Sequence, residues 1–185
     1  MPLKQCRVKQ MKLSSRRIVI DADVVCAAGG EAATNELSRS CRDFLRAVHD
    51  ICHRAVLSTE LAAEWKKHQS KFTRKWRRWM DGKKKLSRRD CPANHALRSK
   101  VSAVLTESER NEAEKDFHLV EAALATDKIV ISCEDKARGL FAKASASVPE
   151  LADIMWVNVR AQAPGNLEVW LKGGAAMKKE YCLGS

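Results

Sequence analysis

Four carboxylates in this sequence stand where chemistry is usually done. Asp21 directly follows Ile18, Val19 and Ile20, the run of β-branched residues expected of a strand that is buried on both faces and ends at a functional edge. Asp135 closes a second such stretch, which runs Ile129, Val130, Ile131, Ser132, Cys133, Glu134. Glu64 falls inside a helix that starts after Ser58, and Asp116 borders the apolar stripe of a later helix, about 60° from its centre at ~100° per residue. Carboxylates brought together without a cation repel one another, so their convergence implies a bound hard metal, Mg²⁺ or Mn²⁺, with part of its water kept. Phosphodiester hydrolysis is the natural use of such a centre. The metal polarises the phosphate, orients or deprotonates a water and stabilises the leaving oxygen. If the acids stay apart, each is an ordinary cap or surface charge.

The elements that must position them are read from periodicity and caps. After the strand at 18–21, Thr34 or Asn35 caps a helix whose stripe is Leu37, Cys41, Phe44, Leu45, Val48, Ile51 and Cys52. A short strand follows at 55–57. Ser58 then caps a helix that carries Glu60 and Glu64 on one face, turns basic at Lys66 and runs to Met80, where Asp81 and Gly82 end it. Glu60 lies in the first turn, where the helix dipole already favours a carboxylate. Residues 83–89 read as a basic loop. Thr106 and Glu109 form a capping box that opens a single helix with Ala113, Phe117, Val120 and Leu124 as its stripe. Strands at 128–132 and 154–159 flank a short helix at 136–146, a last segment spans 167–172, and the final eleven residues read as a loose tail. Strands separated by helices, with no hairpin turns, imply right-handed crossovers and parallel pairing. The expected architecture is therefore α/β: three layers, α/β/α, around a central parallel sheet of four to five strands. In such sheets ligands bind beyond the carboxyl ends of the strands, where Asp21 and Asp135 stand. His49 and His53 have a spacing that can bind zinc, but no third ligand accompanies them, and they read as solvated or capping residues.

Charge placement says more than its total. The chain of 185 residues carries a net +11, and 66–89 alone contributes +11, from twelve Lys or Arg against one acid, Asp81. The first 17 residues hold six further cations and no acid. A body on the acidic side with basic appendages suits metal ions in the body and phosphates on the appendages. Lys66, Lys67, Lys71, Arg74, Lys75, Arg77, Arg78, Lys83, Lys84 and Lys85 are the candidate nucleic-acid contacts. Phe72, Trp76 and Trp79 form one stripe among them, a pattern more often buried as core but also able to stack on single-stranded bases. Apolar residues make up 45% of the chain without a run of membrane-spanning length. The basic N-terminal residues lack the apolar core of a secretory signal. Seven cysteines with no Cys-x-x-Cys pair fit a reducing cytoplasm.

These motifs, in this order, resemble the PIN-domain nucleases: Ile18 to Asp21 with Asp23, then Leu57 to Glu64, then Asp116 to Glu121, then Ile129 to Asp135, then Ile154 to Asn158. The resemblance implies a PIN-like nuclease domain over 18–160 with a basic helical arm at 66–89, preceded by a basic arm at 1–17 and followed by a C-terminal segment at 161–185. It implies one or two divalent ions held by Asp21, Glu64, Asp116 and Asp135, and endonucleolytic cleavage of RNA, many members being toxins of toxin–antitoxin pairs. The partners implied are RNA, an antitoxin protein and further copies of the chain in a homo-oligomer, with no membrane. Asp23 replaces the commoner Asn or Ser and is a further metal ligand candidate. Cys133 holds the place, two before Asp135, where the family usually has Thr or Ser, so Glu134 competes with Asp135, as Glu60 does with Glu64. Asp21 and Asp23 also resemble the first motif of haloacid-dehalogenase-type phosphatases. A non-catalytic RNA-binding module is the remaining alternative. Convergence of Asp21, Glu64, Asp116 and Asp135 in space is what separates these readings.

Overall fold

The computed structural model describes residues 15–185 and is built on five short strands: β1 (Arg17–Ile20), β2 (Arg54–Leu57), β3 (Leu86–Arg88), β4 (Ile129–Ser132) and β5 (Met155–Asn158). All pair parallel, in the order β3-β2-β1-β4-β5. The buried positions of the three central strands are Ile, Val, Leu or Ala except for Ser132 at the end of β4, as expected when helices cover both faces of a parallel sheet. The helices are α1 (Ala22–Ala27), α2 (Glu36–Asp50), α3 (Thr59–His68), α4 (Lys71–Gly82), α5 (His95–Val104), α6 (Glu107–Ala113), α7 (Phe117–Leu124), α8 (Lys136–Ser145) and α9 (Asn166–Lys172). In one group α2 packs on β2, α4 and α9; in the other α7 lies on β1 and β4, and α8 meets α5 and α6. This is the three-layer parallel α/β architecture expected. The basic residues 1–14 of the N-terminal arm lie outside the described residues.

Four elements differ from the sequence reading, each for a local reason. The helix from Ser58 to Met80 is two helices. Ser70 leaves the helical path and caps α4 by accepting from the Thr73 N–H, while its own N–H donates to Val25 O. A Ser inside a basic run gives no periodic sign that its hydroxyl serves a new helix start. The basic loop at 83–89 contains β3, whose Leu86 and Ser87 are buried while Arg88 is exposed. It is an edge strand, where basic side chains are tolerated and mask the strand pattern. The helix opened by the Thr106 and Glu109 capping box stops at Ala113, and Asp116 takes the cap position of α7 without a side-chain cap bond.

The tail is the fourth. Tyr181, Cys182 and Leu183 are buried, the Leu183 N–H donates to Ile154 O, the Gly184 N–H donates to Ala152 O, and Ser145 Oγ donates to Leu183 O. A Cβ on Gly184 would lie 2.8 Å from Ala152 Cβ and 3.1 Å from its Cα. Leu183 is 2% exposed, so Leu183→Ala should cost about 2–5 kcal/mol, and Gly184→Val about 1–3 kcal/mol by overpacking. Urea denaturation measures both. Changes within about 0.5 kcal/mol, as at an ordinary surface position, would mean the segment does not pack as described. No helix among the described residues is long and apolar enough to cross a membrane.

Candidate active site

The chain fills one half of the sheet by stepping from β1 to β2 to β3, then crosses back to place β4 and β5 on the other side of β1. Beyond the carboxyl ends of β1 and β4 the connections diverge, which opens a crevice where ligands bind in open α/β sheets. Asp21 stands in this crevice. Its N–H donates to Ile131 O, extending the β1–β4 pairing by one bond, and its extended backbone lets the carboxylate cap α1 by accepting from the Asp23 N–H at 3.4 Å. From β4, Ser132 Oγ donates to Asp23 Oδ2 at 3.0 Å, the Cys133 N–H donates to the same oxygen at 2.8 Å, and the Glu134 N–H donates to Ser132 Oγ at 3.1 Å. The other oxygen, Asp23 Oδ1, is buried without a hydrogen-bond partner. The ends of the two central strands are thus tied together through one carboxylate that keeps a free oxygen.

α3 and α7 meet at this same edge. α3 is held there by Trp65, whose indole N–H donates to Ile20 O at 3.0 Å, so the preceding residue, Glu64, lies beside the crevice. Its Oε2 is 3.0 Å from His118 Nε2 on α7, an ion-pair contact without good hydrogen-bond alignment. Burial, with Asp23, Asp116 and Glu64 adding their charges, pushes the Asp21 carboxyl up to about 7. Burial likewise raises Asp116 to about 6; Glu64, Asp23 and Glu134 add to this and His118 opposes it. Asp23 is raised by burial, with its bonds from Cys133 and Ser132 working the other way. Burial on its own would lower the His118 pKa, but Glu64, Asp21 and Asp116 together raise it.

Of the sequence-predicted acids, Asp21, Asp23, Glu64 and Asp116 therefore share one environment. Glu134, not Asp135, is the fifth acid whose charge is felt by Asp23 and Asp116. Both Glu134 and Asp135 are exposed; Asp135 takes the cap position of α8 and makes no side-chain cap bond. Ser132 stands two residues before Glu134, and its hydroxyl accepts from the Glu134 N–H. Glu60 is exposed in the first turn of α3, and its charge falls on Cys91. His118 escaped the sequence reading. Its only sign there is its place two residues after Asp116, and its role depends on α3 lying across from it.

Carboxylates with an imidazole are the donor types that a hard divalent cation takes, and one of their oxygens, Asp23 Oδ1, is buried without a hydrogen-bond partner. As the side chains lie, no group of three or more His, Cys, Asp or Glu among the described residues is close enough to hold a metal ion. A pH dependence follows. A carboxyl whose pKa is raised by folding stabilises the protein where it is protonated and withdraws that contribution as pH rises through the folded value. With chelator present, stability should fall by about 1 kcal/mol between pH 6.5 and 8, where Asp21 ionises. The buried His53 is lowered by burial and acts with opposite sign, mostly below this window. Chemical denaturation at the two pH values measures the drop, and a rise instead would mean Asp21 is not held among like charges.

The predicted nucleic-acid contacts divide. Lys66, Lys67, Lys71, Arg74, Lys75, Arg78, Lys83 and Lys84 are exposed and Arg77 is half-buried. Lys85 is not available to a phosphate. Its ammonium donates to the carbonyls of His49 and Ile51 at the end of α2, where a cation suits the helix dipole, and burial lowers its pKa. Phe72 and Trp76 are core residues; the Trp76 N–H donates to Leu45 O at 2.6 Å. Of that stripe only Trp79 is exposed. His53 is neither solvated nor capping: it is fully buried, accepting at Nδ1 from the Arg16 N–H and paired at Nε2 with Leu171 O. No disulfide joins the six described cysteines.

Fold and site together define a parallel α/β protein with an acidic crevice at its topological switch point and a cationic helix beside it. No family model matches the chain, and neither a curated protein nor a solved structure matches it significantly.

Proposed function

We propose that this chain is a divalent-metal-dependent endoribonuclease that hydrolyses internal phosphodiester bonds of single-stranded RNA on a PIN-like plan. The observation that carries the reading is that Asp21 is buried at the end of β1 with Asp23, Asp116 and Glu64 around it, so that burial first, and these charges in addition, raise its carboxyl to about 7. Such a site is stabilised by a cation. Asp21, Asp23, Glu64, Asp116 and Glu134 are the residues that would hold Mg²⁺ or Mn²⁺, and the metal supplies Lewis-acid polarisation of the phosphate. Ser132 and the Cys133 N–H fix the orientation of Asp23, and His118 lies within ion-pair distance of Glu64. The cations of α3 and α4 supply attraction for the phosphate backbone, with RNA as the partner.

The phosphatase alternative needs a Lys at the acids. Lys136, the first Lys after β4, is instead paired with Glu112 at 3.0 Å. The test is incubation of a labelled single-stranded RNA pool with the purified chain in Mg²⁺, Mn²⁺ or chelator. Metal-dependent internal cuts are expected. Intact RNA in every divalent ion overturns the proposal, and release of inorganic phosphate from monoesters with internal linkages intact identifies a phosphatase.

A further inference from the structure

The basic helix leads away from the acids toward a second pocket. At its start the Phe72 N–H donates to Gly29 O, in the loop after α1, on the side of the sheet where Asp21 lies. At its end Lys85 grips the last carbonyls of α2, just before β2 begins at the opposite edge. The 12 residues of α4 thus span about 18 Å from one edge to the other at ~1.5 Å per residue. Lys71, Arg74, Lys75 and Arg78 recur at 3, 1 and 3 residues, so they form a single exposed stripe opposite the buried Phe72, Trp76 and Met80.

Where this stripe ends there is a shallow pocket of 540 Å³ lined by Arg46, His49, Asp50, Arg78, Trp79 and Lys83. Trp79 is 39% exposed, while Trp65, Trp76 and Trp156 are fully buried. His49 meets it with ring centroids 5.7 Å apart, and Lys75 Nζ lies 5.1 Å from the ring centroid. Asp50, the one acid in the lining, is 2.7 Å from His49 Nδ1. An exposed indole costs apolar surface in water, and here it is ringed by cations. Such a surface matches one ligand chemistry, a planar base joined to phosphates, since every base presents a π-face and its backbone presents anions. Lys75 holds part of the space over the ring, and its ammonium is paired only at the surface, with Glu31 at 2.9 Å, a contact that costs little to open.

We propose that Trp79 and His49, with Arg46, Arg78 and Lys83, form a base-stacking subsite for single-stranded nucleic acid, at the far end of the cationic stripe from the acids. The inference rests on the reading of the chain as a single-strand-specific nuclease, and it is tested without cleavage. Binding of a fluorescent oligouridylate to the full chain is measured in chelator over a range of salt, for the parent, Trp79→Ala and Trp79→Phe, with circular dichroism to show each is folded. Trp79→Ala should bind about 10- to 100-fold more weakly, the loss of one stacked base, with an unchanged log–log salt slope, because stacking releases no counterions. Trp79→Phe should recover most of the affinity. Photocrosslinking with a 5-bromouridine oligonucleotide should modify the tryptic peptide 79–83 in the parent. Parent-like binding by Trp79→Ala, with crosslinks elsewhere, overturns the subsite while leaving metal-dependent cleavage by the parent untouched. A parent that cleaves RNA but shows no affinity for oligouridylate also overturns it, and the pocket then belongs to a protein partner. A parent that neither binds nor cleaves overturns the nuclease reading itself.

Discussion

Asp21→Asn is expected to remove RNA cleavage and, at the same time, to make the metal-free protein more stable. Asn keeps the shape of the cap on α1 but cannot be an anionic ligand, so the rate should fall by roughly 10²-fold or more, given a metal centre worth several kcal/mol. The stability gain has a separate origin. At pH 8 the parent carries a buried charge among Asp23, Asp116 and Glu64, and the neutral amide relieves it by on the order of 1–3 kcal/mol. Denaturation in chelator at pH 8 reads the gain, and added Mg²⁺ should stabilise the parent more than the variant. Glu134→Gln should also impair cleavage, whereas Asp135→Asn should leave it within a few-fold of the parent. If Asp21→Asn cleaves like the parent in the same Mg²⁺, the crevice is not the catalytic site. Should Asp135→Asn be the damaging change of the pair, the exposed cap position of α8 is the ligand position instead.

The second large effect is expected on RNA binding. Replacing Arg74, Lys75, Arg77 and Arg78 with Gln removes four charges from α4, at a helix whose buried residues, Phe72, Thr73, Trp76 and Met80, are untouched. For a single strand each phosphate contact contributes roughly 0.7 to the slope of log affinity against log salt, so the slope should flatten by up to about 3. Cleavage at high RNA concentration should persist, because the acids are unchanged. Lys85→Gln provides the contrast: it should leave the slope alone and lower stability, since its ammonium serves the end of α2. A quadruple variant with the parent's slope would move the RNA path off α4 and leave that face as a docking surface for an acidic protein such as an antitoxin.

The elements of this chain differ in how far they can be read before folding. The strands at β1, β2, β4 and β5 are legible because buried parallel strands are runs of β-branched and aliphatic residues, and the parallel sheet follows from the helices between them. β3 is not, because it is three residues long and its Arg88 and flanking lysines carry a charge pattern instead. Helix breaks at Ser70 and at 114–116 are equally hidden, since capping residues are also tolerated inside helices and the choice is made by what the freed backbone finds, as when the Ser70 N–H finds Val25 O. The acids show a similar division. Asp21, Glu64 and Asp116 stand out by their position in the pattern, but which of Glu60 and Glu64 lies toward them depends on how α3 packs, and which of Glu134 and Asp135 does so depends on how the chain turns after β4. That turn is made by Ser132, whose hydroxyl holds both Asp23 and the Glu134 N–H. His118 acquires its meaning only because Trp65 pins α3 to Ile20 O and so sets Glu64 across from it. The twelve cations of 66–89 were countable from the start, whereas their division into an exposed stripe, the half-buried Arg77 and the helix-capping Lys85 was not. Residue types limit what chemistry is available, and long-range packing assigns it, because burial and proximity are properties of the folded chain.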